Sequence, residues 1–155
     1  MKNGIKDILL RFKKNGWTAK YDDNGKTIIA LERFGESITL EPGGQIELSG
    51  AQLNNIHQTC TETTRHLIEL KEIGEEFDFI LLGLGVEPSL KLEDFPWMPK
   101  QRYDIMKNYM PTVGSLGHHM MKRTCTNQVN LDFFSEDDMK NKSVSYTHLT
   151  LPTIE

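Results

Sequence analysis

The chain has 155 residues, with 18 Lys and Arg against 22 Asp and Glu, which gives a formal net charge of −4. This length fits one domain. The slightly acidic balance argues against a protein that binds nucleic acid through a basic surface. No stretch approaches the roughly 18–20 apolar residues of a membrane helix, so we expect no membrane partner. Only 37% of the residues are apolar, which indicates a thin core or a chain that is incomplete or partly foreign.

Cysteine content and the first residues bear on cellular location. Cys60 and Cys125 are too few for a disulfide framework, which favours a reducing compartment. Charges at Lys6, Asp7 and Arg11 interrupt the N-terminal segment, unlike the apolar core of a signal peptide. The sequence therefore predicts a cytoplasmic location.

The first third of the chain has the pattern of one helix followed by a β-meander. Apolar residues spaced by three and four predict an amphipathic helix over residues 4–15. Turn residues at 22–25 and glycines further on separate short alternating segments, which is typical of antiparallel strands joined by tight turns. The predicted strands are 17–21, 26–33, 36–41 and 45–49.

The remainder mixes helical and extended patterns. The longest helical pattern covers residues 51–76, and a proline-rich loop is predicted over 86–100. Ser135 and Asp138 have the spacing of a helix start. The other predicted elements are strands at 77–84 and 124–133 and helices at 102–109 and 114–122. Strands and helices that do not alternate regularly predict the α+β class.

Two carboxylates flank a glycine turn in the segment EPGGQIELSG. Glu41 and Glu47 are six residues apart, and an even offset leaves both side chains on one face of a sheet. Glutamate is depleted in strands, and carboxylate oxygens are ligands that Mg²⁺ prefers. We therefore expect a magnesium site here, with close approach of a ligand permitted by Gly43 and Gly44. The alternative is a solvent-exposed sheet face without a ligand.

Three further side chains are candidates for ligand binding. Arg102 stands at a loop-to-helix junction beside aromatic residues, where a guanidinium is suited to bind a carboxylate or a phosphate. Pairing with a glutamate of the chain is the alternative. Gln128 and Asn130 are two residues apart in a predicted strand, so they share a face. Buried amides need partners, and a ligand is one way to supply them.

Two other motifs do not support a site. Gly83-Leu84-Gly85 follows an apolar segment, but Pro88 occupies the position of the last glycine in a dinucleotide-binding pattern. His57, Cys60 and the adjacent His118 and His119 lack the ligand spacing of a zinc site.

Three strings taken together carry a family resemblance: EPGGQIELSGAQLNNIHQTC, LGLGVEP, and PWMPKQRYDIMKNYMPTVGSLGHHMMKRTCTNQVNLDFFSEDDM. In this order, over about residues 28–142, they resemble the glutamate–cysteine ligases of the plant and proteobacterial type. The resemblance implies part of a glutamine-synthetase-like catalytic domain, in which helices pack behind a curved antiparallel sheet. It also implies ATP-dependent joining of L-glutamate to L-cysteine through a γ-glutamyl phosphate, the first step of glutathione synthesis, with Mg²⁺ as cofactor.

The same resemblance assigns roles to individual residues. Arg102 matches a catalytic arginine that clamps a carboxylate of glutamate. Tyr103 and Thr124 are implied as parts of the substrate pocket, and Asn130 faces the nucleotide. The implied metal ligands are Glu41, Glu47 and Gln128.

Some positions depart from the family pattern. Gln101 stands where the family usually has glycine, so a left-handed backbone at this position would be strained. His118-His119 stands where the family usually has Leu-Asp. Neither departure removes an implied ligand.

The last residues, SVSYTHLTLPTIE, have no helical or strand period. Residues Val144–Thr153 read like the conceptual translation of a sequencing adapter, the alternative being a natural polar tail. We therefore expect residues 1–143 to be part of a ligase catalytic domain that is inactive alone, and residues 144–155 to be a non-native tail. Two other functions remain open: a ligase of the same fold with another amine acceptor, and an inactive binding module.

Overall fold

The computed structural model describes residues 4–130 and 132–150, with the side chains of residues 148–150 left undescribed. The chain divides into two compact units, Met1–Cys125 and Thr126–Glu155. Among the residues described, no helix is long and apolar enough to cross a membrane.

The first unit is built on a four-stranded antiparallel sheet in the order β1-β2-β3-β4. Its strands are β1 (Thr18–Tyr21), β2 (Ile28–Arg33), β3 (Glu36–Leu40) and β4 (Ile46–Ser49). Its helices are α1 (Ile5–Lys13), α2 (Ile56–Phe77), α3 (Gln101–Val113) and α4 (Gly117–Arg123), with one 3₁₀ turn at Leu92–Asp94. The predicted meander and the α+β class are both confirmed.

The core lies where α1 and α2 cover one face of the sheet. Phe12 of α1, Leu31 of β2, Ile38 of β3 and Ile73 of α2 are all fully buried. Residues that alternate along β3 point to the core and away from it in turn, as a two-residue period requires. The face opposite the core is therefore free to carry polar side chains.

The long helix α2 begins later than its apolar spacing predicts. The side chain of Asn55 accepts a hydrogen bond from the backbone N–H of Gln58 at 3.1 Å, which caps the helix at Ile56. The helix ends at Phe77, after which Asp78 adopts a left-handed backbone. Residues 51–55 therefore form a connection rather than the first turn.

The two strands predicted after α2 are wrong. Residues 79–84 have no regular structure, and Ile80 and Leu82 are 82% and 68% exposed. In the segment 124–133 the only strand-like pairing of the described residues is the bridge between Val86 and Thr124, with Leu131 not described. A strand forms only where a neighbour satisfies its backbone groups. An apolar or alternating pattern predicts which face would be buried, but not the presence of that neighbour.

The second unit contains the helix α5 (Glu136–Thr150). The hydroxyl of Ser135 accepts a hydrogen bond from the backbone N–H of Asp138 at 3.1 Å, so the predicted helix start is confirmed. The helix continues into the segment that has no helical period in the sequence. Residues 151–155 of the predicted tail lie outside the described residues.

Candidate functional site

The hairpin of β3 and β4 carries the two candidate carboxylates on one face. In the strand register Glu47 is paired with Thr39. The backbone N–H of Glu41 donates to the carbonyl of Gln45 at 2.9 Å, which extends the same ladder by one pair. Thr39 and Glu41 are two residues apart, so their side chains lie on the same face. Glu47 lies on that face as well, because it is the cross-strand partner of Thr39. The predicted common face is therefore confirmed.

The turn of this hairpin, residues 41–45, is called the hairpin tip below. Gly44 has a φ of +91°, a left-handed conformation that favours glycine. Gly43 is needed for another reason: a Cβ at this position would lie 2.5 Å from the carbonyl oxygen of Lys122. Gly43 therefore permits a close approach between the hairpin tip and the C-terminal end of α4. The sequence analysis predicted a close approach to a ligand instead.

Arg102 and Tyr103, at the start of α3, both reach the hairpin. The Nη2 atom of Arg102 lies 3.6 Å from Oε1 of Glu41, and it donates to the Tyr103 hydroxyl at 2.9 Å. That hydroxyl donates in turn to the carbonyl oxygen of Leu40 at 2.8 Å. Tyr103 is only 2% exposed, whereas the Arg102 side chain is 63% exposed. Arg102 is thus accessible to a ligand, while the buried Tyr103 binds the backbone at the end of β3.

Lys100 belongs to the same cluster and was missed from the sequence. Its Nζ atom donates to the carbonyl oxygen of Leu40 at 2.8 Å and lies 5.3 Å from the ring centroid of Tyr103. A signal was available, because Lys100 stands two residues before Arg102 at the same loop-to-helix junction. Two cations therefore flank the end of β3 beside the two carboxylates.

The charges of this cluster act on one another. Burial lowers the pKa of Lys100 below its ordinary value, and the nearby Arg102 lowers it further, while Glu41 and Glu47 oppose both effects. The hydrogen bond to Tyr103 raises the pKa of Arg102, and the two glutamates act in the same direction. Burial raises the pKa of the Tyr103 hydroxyl, which keeps it protonated as a donor at neutral pH.

Thr124 lies at the C-terminal end of α4, next to the hairpin tip. Its hydroxyl donates to the carbonyl oxygen of Met120 at 2.6 Å, and its own carbonyl oxygen accepts from the Gln45 side chain at 3.1 Å. The structure therefore brings Thr124 to the hairpin tip, in contact with Gln45.

Gln128 and Asn130 belong to the second unit. The Nε2 atom of Gln128 donates to Oδ1 of Asn130 at 2.9 Å, so the two side chains lie on the same side, as predicted. Both residues are exposed and neither lies in a strand, so the prediction of buried strand amides is wrong. No described strand pairs with residues 126–130, and their side chains lie in solvent.

The positions that depart from the family pattern cause no strain. Gln101 is the first residue of α3, with helical backbone, so this position has no requirement for glycine. A ring nitrogen of His118 contacts the carbonyl oxygen of Lys107 at 2.9 Å, and its ring meets that of Trp97 edge-on at 5.2 Å. His118 therefore packs α4 against α3 and the preceding loop.

The described residues supply only part of a metal site. Glu41 and Glu47 offer carboxylate oxygens on one face, the donor type that suits Mg²⁺. Within residues 4–130 and 132–150, no three His, Cys, Asp or Glu side chains come together in a way that could hold a metal ion. The two glutamates fit one side of a Mg²⁺ ion, and the remaining ligands would have to come from other groups.

Comparison with known proteins agrees with the family indicated by the sequence. The sequence model of the family described as glutamate-cysteine ligase family 2 matches residues 10–154. The chain is 52% identical over 139 residues to glutamate–cysteine ligase A, chloroplastic, of Oryza sativa subsp. japonica, covering 89% of this chain and 28% of that protein. It is 58% identical over 118 residues to the chloroplastic glutamate–cysteine ligases of Brassica juncea and Arabidopsis thaliana, covering 76% of this chain and 23% of each.

The α+β fold is consistent with a piece of a ligase domain. The chain belongs to glutamate–cysteine ligase family 2. It spans about a quarter of the length of these curated relatives.

The predicted cytoplasmic location is wrong. The relatives are named chloroplastic glutamate–cysteine ligases, and a plastid location of those proteins speaks against the cytoplasmic prediction. Two exposed free cysteines exclude a disulfide framework within the described residues. They do not distinguish one compartment from another, and for this reason the cysteine count misled the prediction.

Proposed function

We propose that this chain forms part of the active site of an ATP-dependent glutamate–cysteine ligase. In this reaction an oxygen of the glutamate γ-carboxylate attacks the terminal phosphorus of ATP, which releases ADP and forms γ-glutamyl phosphate. The cysteine amine then attacks the γ-carbonyl, loses a proton and expels inorganic phosphate. The observation that carries the proposal is the cluster of Glu41, Glu47 and Arg102 at one hairpin in a chain of this family.

The residues of the hairpin are suited to charge neutralisation and positioning. Glu41 and Glu47 would hold Mg²⁺, which when bound neutralises charge on the phosphates of ATP. Gln128 stays a proposed metal ligand on the ground of the family resemblance alone. Arg102 is exposed, and its ion pair with Glu41 at 3.6 Å is weak enough to be exchanged for a substrate carboxylate. A guanidinium offers paired donors that match a carboxylate, so Arg102 is assigned to glutamate.

Supporting roles fall to residues around this centre. Thr124 borders the hairpin tip, and we assign it to the substrate pocket. Asn130 is assigned to the nucleotide because its exposed amide can both donate and accept hydrogen bonds. Tyr103 was expected in the pocket wall, and its burial supports a different contribution, which is to hold the end of β3 beside Arg102.

The proposal includes the organisation of the chain. Residues 1–143 are assigned to the ligase catalytic domain, and residues 144–155 are assigned to a non-native tail. Ten consecutive residues that read like a translated adapter support the tail assignment, whereas the family match, which runs to residue 154, speaks against it. Genomic DNA that encodes Ser-Val-Ser-Tyr-Thr after Lys142 would contradict it.

A chimera tests the proposed activity. The segment of the Brassica juncea relative that matches this chain over 118 residues is replaced by the corresponding residues of this chain. With ATP, glutamate, cysteine and Mg²⁺ the chimera is expected to form γ-glutamylcysteine and ADP in equal amounts. Omission of cysteine should abolish the dipeptide. A chimera that folds like its parent and forms no dipeptide would contradict the proposal.

A further inference from the structure

One side chain joins the hairpin tip to the end of α4. The amide nitrogen of Gln45 donates to the carbonyl oxygens of Met121 and Thr124, each at 3.1 Å. The amide oxygen of the same side chain accepts from the backbone N–H of Gly43 at 2.9 Å. Gln45 therefore uses both ends of its amide at once, and it bridges segments that are more than seventy residues apart in sequence.

These contacts satisfy groups that would otherwise have no partner in a helix. The last carbonyls of an α-helix have no intrahelical donor, and Met121 and Thr124 lie at the end of α4. Only an uncharged amide offers two N–H donors and a carbonyl acceptor from a side chain of this length. A glutamate here would place a negative charge against two carbonyl oxygens.

The backbone contact beside Gln45 strengthens the same joint. Gly43 lies directly against the main chain of Lys122, and the carbonyl oxygen of Pro42 accepts from the backbone N–H of Met98 at 2.9 Å. The tip is thus held from two sides, by α4 and by the loop that leads to α3.

We infer that Gln45 is a positioning residue of the ligase site, which fixes the hairpin carboxylates relative to Thr124. The inference rests on the proposed function, because Glu41, Glu47 and Thr124 are the groups that the function assigns to metal and substrate. Gln45 itself is not assigned to bind the metal or the substrate. It acts through the register of the hairpin tip against α4.

The first experiment measures the joint in the full chain by hydrogen exchange. At pH 8 Gln45→Glu should accelerate amide exchange in residues 40–46 and 118–125 about tenfold or more relative to the unsubstituted chain. Gln45→Met should show a similar acceleration, because it removes the same hydrogen bonds. Gln52→Glu, the same change at an exposed position, should leave both segments unchanged.

The second experiment measures catalysis in the chimera. Gln45→Glu should lower kcat about tenfold or more at pH 8 and should raise the Mg²⁺ concentration that gives half the maximal rate about threefold or more. A general loss of stability would lower the amount of folded enzyme without changing its Mg²⁺ requirement.

The outcomes separate the inference from the proposed function. Unchanged exchange in Gln45→Glu overturns the joint, whatever the chimera does. Accelerated exchange with an unchanged kcat in an active chimera overturns the positioning role and leaves a structural one. An inactive unsubstituted chimera contradicts the proposed function and removes the positioning role with it, while the exchange result still decides the joint.

Discussion

The main chain of Gly43 lies so close to that of Lys122 that a β-carbon at position 43 would be 2.5 Å from the carbonyl oxygen of Lys122 and 2.9 Å from its Cα. Lys122 is itself buried, and its Nζ atom donates to the carbonyl oxygen of Leu92 at 3.0 Å. The hairpin that carries Glu41 and Glu47 is therefore in contact with a part of α4 that has little freedom to move.

Gly43→Ala is expected to destabilise the chain by about 1–3 kcal/mol, because two backbones must separate to admit the methyl group. Gly83→Ala is the matched control, since a Cβ at that position meets nothing within 4 Å. The control should change the free energy of unfolding by less than about 1 kcal/mol. Urea denaturation of both variants measures the difference, and equal midpoints would contradict the close contact.

Tyr103→Phe should destabilise the chain by about 0.5–1.5 kcal/mol, since it removes a buried hydrogen bond to Leu40. The cost should stay within that range, because Lys100 still donates to the same carbonyl oxygen. Tyr109 of the same helix is 60% exposed, so Tyr109→Phe should leave the unfolding midpoint unchanged. A Tyr103→Phe midpoint equal to that of the unsubstituted chain would show that the buried hydrogen bond contributes nothing.

A buried ionic network lies on the core side of the sheet, opposite the face that carries Glu41 and Glu47. The side chain of Glu36 is 1% exposed, and it accepts from Arg33 at 2.9 Å and from Arg65 at 2.7 Å. Arg33 also pairs with Glu69 at 2.6 Å. Its guanidinium carbon lies 4.3 Å from the ring centroid of Trp17. The network ties β2, β3 and α2 together.

Glu36→Gln should destabilise the chain by about 3–5 kcal/mol, because the neutral amide leaves two guanidinium groups without their shared counter-charge in a buried site. Glu75→Gln makes the same change at an exposed position of α2 and should have an effect within about 0.5 kcal/mol. Thermal unfolding followed by circular dichroism provides the comparison. Similar midpoints for the two variants would mean that the network does not stabilise the fold.

His66 makes stability depend on pH. Burial lowers its pKa below the ordinary 6.5, its ring stacks on Phe12 at 6.0 Å, and its Nδ1 atom has no hydrogen-bond partner in the described part of the chain. Glu69 and Glu36 oppose this shift, whereas the positive charges of Arg33 and Arg65 reinforce it.

The sign of the pH effect follows from proton binding. The unfolded chain binds a proton at the ordinary pKa and the folded chain does so only at lower pH, so acid favours unfolding. The free energy of unfolding should therefore fall between pH 7.5 and 5.5. His66→Leu should reduce that fall, whereas His57→Leu, at an exposed position, should preserve it. An equal fall in the His66→Leu variant would assign the pH dependence to other groups.

Local chemistry made the first half of the fold predictable. The turn at Asp22–Gly25 and the left-handed Gly35 are specified by their own residue types, and both hairpins formed where these residues stand. The shared face of Glu41 and Glu47 follows from strand period alone. Elements that depend on a distant partner were not predictable, since residues 79–84 have a strand pattern and no neighbouring strand in the described chain.

The charged side chains of the candidate site could be predicted from the sequence, whereas the residues that hold them in place could not. Arg102 was identified from its place at a helix start. Gln45 and Lys100 were missed because their partners lie 60 or more residues away in sequence. Tyr103 was identified as a candidate site residue, but its sequence position does not reveal that its hydroxyl donates to the carbonyl oxygen of Leu40.

Product formation by the Glu47→Gln variant of the chimera tests most directly whether the hairpin carboxylates serve the ligase reaction. Glu72→Gln, an equal change at an exposed position of α2, is the control, and circular dichroism checks that both variants are folded. The rate of γ-glutamylcysteine formation should fall at least about tenfold in Glu47→Gln, as expected for loss of a metal-binding carboxylate, and should be unchanged in Glu72→Gln. A folded Glu47→Gln chimera that forms the dipeptide at the unsubstituted rate would contradict the assignment of this hairpin to the metal.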